Sequence, residues 1–391
     1  MKRINNIIFL IVIFFIFLLG FYPFVRKSKT ISTLENRTLN KIPSFTFDKY
    51  FEGNYQIDIE KALSDQFLGG EKIKKYYNEV LNRTTNIIDS IFNIKGRYCI
   101  NDYIVLSEGR GIFNCSDYIV FIPTHSEHQS DILTNISDYS KLDKYVDTYY
   151  YYVPASAVFD FRTNTYVDDF VKEFENKLVN KGKIDYLKYN NFEEYKQLFY
   201  KNDHHWNYKG SYQGYKDIIN LFGIHDGVMK PISTFNSHVS FYGSNSRVTR
   251  NYDFYDEFII YKFDFKNHKT YINGKEMEYD HINDFINHKY KEDINRNYYA
   301  YVYGSDYAEV LFDFNNNKEN LLIISNSLSN SVNELIASHF NKTYVVDLRH
   351  YKNEFNKDFK ILKYIKEKEI NKVLFIMNHN SLQLFNIGLE E

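Results

Sequence analysis

The chain has 391 residues, enough for one large or two medium domains with a sizeable buried core. Lys and Arg number 48 against 50 Asp and Glu, and no basic stripe stands out, so the usual electrostatic footprint of a nucleic-acid binder is excluded. Tyr (37) and Phe (34) are abundant, which fits either compositional drift or aromatic platforms for sugar rings, and composition alone does not choose.

The first feature in chain order is "IIFLIVIFFIFLLGFYPF" (Ile7 to Phe24), an uncharged apolar run behind Lys2 and Arg3. It is long enough to span a bilayer core, and no small-x-small cleavage pattern follows it. An uncleaved signal anchor over residues 1–28 is therefore expected, a single-pass membrane helix. The cations flanking the run (Lys2 and Arg3 before it, Arg26, Lys27 and Lys29 after) leave orientation open. A short tail ahead of a large domain nevertheless favours export, which places that domain outside the cytoplasm.

Residues 29–85 read as a polar tether followed by a helical segment. From about Phe47 to Asn82, apolar residues recur at helical spacing, interrupted by Gly69-Gly70. From residue 86 onward the pattern predicts an α/β domain carrying inserted β-rich segments. Short strand-like runs such as "DYIVL" and "DYIVFIP" fill 91–122, and Cys99 and Cys115, the only cysteines, lie among them. One disulfide and two buried thiols fit that placement equally. A helix is expected over Asp131–Tyr145, a buried strand at "YYYYVP" (Tyr149 to Pro154), and another helix over Tyr166–Val179.

The C-terminal third is the most regular. "LLIIS" (Leu321 to Ser325), "TYVVDL" and "KVLFIM" read as buried strands. Between them, "SVNELIASHF" sets Val332, Leu335, Ile336 and Phe340 on one helical face. "FNKDFKILKYIKEKE" is expected as a second helix with Phe355, Phe359, Leu362 and Ile365 inward. Alternation of this kind predicts a parallel α/β sheet flanked by helices.

Reactive groups in such sheets sit at the carboxyl ends of strands. Ser327 follows the "LLIIS" strand and precedes a helix, where free backbone N–H groups favour an oxyanion. A serine hydroxyl needs a base, and "YKNDHHWNYKG" (Tyr200 to Gly210) supplies Asp203, His204 and His205 beside the single tryptophan, Trp206. Taken alone, Ser327 fits a helix cap as well as a nucleophile, and Trp206 fits a core residue. A metal site has weaker support: neither HExxH nor CxxC spacing is present, and the cysteines are remote. No metal and no cofactor are expected.

"DHHW" followed by "NYKGSYQGY", then "LLIISNS" and "YVVDLRHY", resembles the bacterial DHHW protein family, relatives of the SGNH-like O-acetyltransferases of alginate biosynthesis. "LENRTLNKIPSF", "YYVP", "SFYGS" and "VYGSDYAEV" occur in the same order, so the likeness covers essentially the whole chain behind the apolar run. It implies an SGNH-hydrolase-like fold in which Asp203 orients, His205 is general base and acid, and Ser327 is the nucleophile. His204 is then the intervening residue, turned away if the segment is extended, while Trp206 packs behind the loop. The usual Gly-Asp-Ser is replaced here by Ser325-Asn326-Ser327. Asn326 and Gly304 are candidates for the oxyanion region, and Asn378 or Asn380 follows the last strand. The implied activity is acyl transfer, acetyl first, onto a polysaccharide, fed by a membrane-bound acyltransferase partner. An esterase with the same triad and a non-catalytic scaffold of a cell-envelope complex are the alternatives.

Overall fold

The computed structural model describes residues 2–67 apart from 30 and 33–36, isolated positions between 73 and 80, 100–105, and 111–121 apart from 116. It also describes 139–378, apart from 162–163, most of 167–182, 250–251, 279 and 288–295.

Eight strands make the central sheet: β1 (Asp147–Tyr152), β2 (Ile184–Tyr186), β3 (Lys269–Ile272), β4 (Lys275–Met277), β5 (Glu309–Asp313), β6 (Leu321–Ile324), β7 (Lys342–Val346) and β8 (Lys372–Met377). Their order is β4-β3-β5-β7-β6-β8-β1-β2. From β7 through β2 all pairs are parallel, with Leu321 opposite both Thr343 and Lys372, and Lys372 opposite Asp147. The apolar runs follow from this position, because a strand covered on both faces has no polar side. All four residues of β6 are buried.

Successive residues feed opposite cores, as the pleat requires. Tyr151, Leu321, Ile323, Leu374 and Ile376 join a cluster with α2 (Tyr208–Leu221) and α4 (Asn333–Ala337). Tyr150, Tyr152, Leu322, Ile324 and Phe375 face α5 (Leu348–Phe355) and α6 (Ile361–Glu367). The expected helical face of Val332, Leu335, Ile336 and Phe340 is buried in the first cluster.

Two features depart from the expected pattern. β5 joins β7 antiparallel, and β3 and β4 extend that edge, so the sheet is mixed. The β3–β4 turn is Asn273-Gly274, both at positive φ (48° and 80°), the backbone that the tightest hairpins need. Of the helix expected over Phe355–Glu369, Phe355 is the last residue of α5, residues 356–360 are not helical, and Ile361–Glu367 form α6. Asn356, left-handed at φ 51°, ends α5, and α6 starts at Ile361 with Phe359, Ile361 and Tyr364 buried while Leu362 and Ile365 are half-buried. Of the helix expected over Asp131–Tyr145, the described part is helical at Tyr139 and Ser140 and continues as a 3-10 turn at Lys141–Lys144; of the one expected over Tyr166–Val179, Tyr166 ends a two-residue strand, Lys172 and Asn176 are helical, and the rest lies outside the described residues.

A hairpin, Ser233–Phe241 with Asp256–Lys262, and α3 (Tyr298–Tyr303) build a third core from Tyr200, Phe241, Phe258, Tyr298, Tyr299 and Val302. Many of the abundant tyrosines are interior: Tyr139, Tyr150, Tyr151, Tyr189, Tyr215, Tyr298 and Tyr299 are among the largest fully buried side chains. Their role there is packing, with rings meeting edge to face or offset.

At the N-terminus, Lys2–Val25 forms one helix, α1, and most of its described apolar side chains are exposed, Phe9 at 63% and Phe17 at 67%. Among the described residues no helix is long and apolar enough to cross a membrane, the side chains of α1 being described only in part. Two helices follow, Phe47–Phe51 and Asn54–Gln66, separated at Gly53 (φ 80°). Gly69-Gly70 lies outside the described residues. Strands Ile100–Val105, Gly111–Cys115 and Tyr118–Phe121 form a small antiparallel sheet. The side chains of Cys99 and Cys115, and with them the question of a disulfide, lie outside the described residues.

Candidate active site

Residues 199–207 form a tight loop between two short elements. Phe199 bridges to Trp206, and Asn207 caps α2 by accepting from the Lys209 and Gly210 N–H groups. Asn202, fully buried, anchors the loop to the neighbouring segment. Its Nδ2 donates to Phe254 O at 2.9 Å and Phe241 O at 3.2 Å, and its Oδ1 accepts from the Gly243 N–H at 2.9 Å. Asp203 Oδ1 accepts from the backbone N–H of His205, two residues on, at 2.9 Å. That Asx turn bends the backbone.

The bend brings three side chains into line. His205 Nδ1 lies 2.5 Å from Asp203 Oδ1, and His205 Nε2 lies 3.0 Å from Ser327 Oγ, 122 residues later. Asp203 and His205 are buried, whereas Ser327 is half-exposed just beyond β6. Ser327 opens a 3-10 turn capped by Asn326, whose side chain accepts from the Leu328 N–H at 3.0 Å. The hydroxyl therefore stands at the sheet's carboxyl edge, open to solvent on one side and bonded to imidazole on the other.

His204 does not turn away from this group. Its ring lies against His205 with centroids 3.9 Å apart, and its Nδ1 is 2.7 Å from Ser244 Oγ. Alternation of side chains requires an extended strand, and the Asx turn removes it. The opposite face of His205 is covered by Tyr299, stacked at 3.9 Å and 17°. The Tyr299 hydroxyl lies 3.1 Å from both Leu328 O, which can only accept, and Ser331 Oγ. Trp206, fully buried behind the loop, donates its indole N–H to the same Ser331 Oγ at 2.9 Å. Gly214 of α2 faces that indole so closely that a Cβ there would come within 2.5 Å of it.

The second oxygen of Asp203 accepts from the Ser244 N–H at 2.7 Å, and Arg247 lies buried one helical turn further on. Burial alone raises a carboxyl pKa. Here the two imidazoles and the Arg247 guanidinium outweigh it and hold Asp203 well below the usual carboxylate range. Burial and then the neighbouring His205 push the His204 pKa down, although 39% of its side chain stays exposed. Gly243 is required at its position, because a Cβ there would lie 2.5 Å from Asn202 O and 2.6 Å from Asp203 Oδ2.

Of the remaining candidates, Gly304 presents its carbonyl to Asn330 Nδ2 at 3.0 Å. Asn378 is buried just past β8, and Asn380 lies outside the described residues. The supporting roles of Asn202, Gly243, Ser244, Arg247, Tyr299 and Ser331 carry no local signal. The "SFYGS" stretch matched the resemblance by order only and offered no residue role.

Ligand atoms of Asp203, His204 and His205 gather within 4.8 Å, as do those of Asp306, Asp347 and His350. In the first group both His205 nitrogens and both Asp203 oxygens are already hydrogen-bonded. In the second, Arg349 bonds to Asp347 and lies 3.1 Å from Asp306, so a cation is already supplied. Protein hydrogen bonds and ion pairs thus account for both clusters.

A parallel-rich sheet flanked by helices, with serine at a central strand end and an imidazole and carboxylate delivered from an earlier loop, defines a mixed α/β fold. Solved structures share it. Bacillus cereus PatB1 superposes with TM-score 0.53 at 20% identity, covering 70% of this chain and 97% of that one. The same protein carrying a sulfonyl adduct gives 0.52 at 20%, covering 70% and 96%. A DHHW family protein from Eubacterium siraeum gives 0.50 at 19%, covering 72% and 94%. No family model and no curated protein matches the chain. At these identities the likeness establishes the fold.

Proposed function

We propose that the protein is an O-acyltransferase, transferring acetyl first of all, that acts on a hydroxyl of an extracellular or cell-envelope polysaccharide. The observation carrying this reading is the continuous line from Asp203 through His205 to Ser327, closed by the 3.0 Å contact at the hydroxyl. Ser327 Oγ attacks the donor's ester carbonyl while His205 Nε2 takes its proton. That proton then leaves on the donor's departing oxygen as the donor C–O bond breaks. A sugar hydroxyl next attacks the acyl-serine, gives its proton to Nε2, and the proton returns to Ser327 Oγ as that ester breaks. Asp203 keeps the proton on Nδ1 and stabilises the imidazolium in both halves.

The N–H groups of Leu328, Ser329 and Asn330 are bonded to Asn326 Oδ1, Asn326 O and Ser327 O. The backbone donor assigned to the oxyanion is therefore Ser327's own N–H. One neighbour in fold, Bacillus cereus PatB1, has been solved with a sulfonyl adduct. Sulfonyl fluorides capture activated hydroxyls, so they serve as probes of Ser327 here.

Full-length protein given nitrophenyl acetate and a mixture of oligosaccharides is expected to yield acetylated sugar detectable by mass spectrometry. Acetate release with no acetylated sugar would convert the reading to an esterase. Absence of both ester turnover and sulfonyl labelling of Ser327 would end it.

The proposal includes a membrane-bound acyltransferase as acetyl donor and α1 as the anchor that keeps the domain beside it. The 24 residues of α1 span about 36 Å at the helical rise, matching a bilayer core. Deleting residues 2–25 is expected to move the chain from the membrane fraction to the soluble one. Extraction of the intact chain by alkaline carbonate would overturn the anchor.

A further inference from the structure

Beside the reactive turn lies a cleft of about 1050 Å³. Asn330 and Ser331, on the turn that Ser327 opens, form one wall of it. Tyr303 forms another, one turn along α3 from the Tyr299 ring that stacks on His205. The cleft therefore shares its framework with the serine and its base.

Its lining combines rings with carboxylates. Tyr208, Tyr212, Tyr261 and Phe263 border it half-buried, packed against one another with Tyr208 and Tyr261 edge to face at 4.8 Å. Apolar ring surface with convergent polar groups is the chemistry of a small-molecule or sugar subsite. Six carboxylates (Asp264, Glu276, Glu278, Asp280, Asp284, Glu334) face three lysines (Lys262, Lys266, Lys269). Lys269 is already paired with Glu276 at 3.0 Å. Glu334 has His268 Nε2 at 3.4 Å, yet burial and then Asp280 push its carboxyl up to about 8. A desolvated carboxylate beside another acid gains most from an arriving cation, whereas an incoming carboxylate meets like charge.

We infer that this cleft binds the acceptor and selects a glycan bearing free amino groups, an unacetylated hexosamine polymer, against a polyuronate. Its role as the acceptor site rests on the acyl-transfer reading above, but its ligand preference is independent of turnover. Sugar rings lie on the tyrosine faces and the ammonium groups meet Glu334 and Asp280.

Calorimetric titration of the full-length Ser327→Ala protein with glucosamine, N-acetylglucosamine and uronate oligomers of equal length tests this. The glucosamine oligomer is expected to bind about tenfold or more tighter than the uronate, and more tightly than its acetylated counterpart. Glu334→Gln is expected to weaken glucosamine binding about fivefold, leaving N-acetylglucosamine binding in place. Equal or tighter uronate binding, or no preference for the amine, overturns the inference, and that comparison stands even if Glu334→Gln fails to fold. Sulfonyl labelling of Ser327 in the native chain separates the two readings. Labelling without amine preference overturns the cleft assignment alone, and amine preference without labelling overturns acyl transfer alone.

Discussion

Replacing Ser327 with Ala is expected to lower acyl transfer by about a thousandfold or more, and to abolish sulfonyl labelling, with no loss of fold. The side chain is half-exposed and its contact is to His205 Nε2, so removing its oxygen leaves no buried cavity. His205→Ala should cost about as much by itself, and the double variant no more than either single, because nucleophile and base act as one unit. The measurement is kcat/KM on an acetyl ester for the two singles and the double. Additive losses, or a Ser327→Ala chain that keeps more than about a tenth of native transfer, would show the triad geometry to be idle.

Asp203→Asn is expected to cost nearly as much, about a hundredfold to ten-thousandfold, through the tautomer of His205. A carboxylate only accepts hydrogen bonds, so Asp203 Oδ1 fixes the proton on Nδ1 and leaves Nε2 free to accept from Ser327. An amide nitrogen turned toward the ring sets the wrong tautomer. Gly243→Ala should reproduce part of the same loss from the other side of the carboxylate. Its Cβ would press on Asn202 O and Asp203 Oδ2, and neither has room to give.

The pH response supplies an independent reading. The Asp203 carboxyl is depressed in the folded state, so its ionisation stabilises the fold fully above the unfolded carboxyl value, near 4, and that share is lost as pH falls toward the folded value. Asp203→Asn should therefore flatten the fall of melting temperature below about pH 4, while leaving transfer poor at every pH. A variant that melts with the native acid profile would mean Asp203 is not held ionised by its imidazole and guanidinium neighbours.

Much of the parallel core is legible in the chain itself. Leu321–Ile324 and residues 373–377 are continuous apolar runs, and Lys342–Val346 ends in one, because strands covered on both faces have no polar side. The face of Val332, Leu335, Ile336 and Phe340 follows from helical spacing for the same local reason. Asn273-Gly274 also carries a hairpin signal that local reading can use, although the place of that hairpin at the sheet edge is a matter of long-range pairing. The break at Asn356 has a local cause as well, because asparagine tolerates the left-handed backbone that ends α5, and α6 restarts at Ile361.

The site divides along the same line. Residue chemistry and order bring Asp203, His204, His205 and Ser327 forward as candidates, and the family resemblance selects Asp203, His205 and Ser327 among them. Only the folded chain decides that 122 residues close to a 3.0 Å contact. Only the folded chain, too, turns His204 onto His205 and calls on Gly243, Arg247 and Tyr299 to hold the group. Side-chain type and periodicity are properties of neighbours in sequence. The stacking, clearance and charge that hold Asp203 and His205 belong to neighbours in space, brought together by sheet pairing whose register no local stretch specifies.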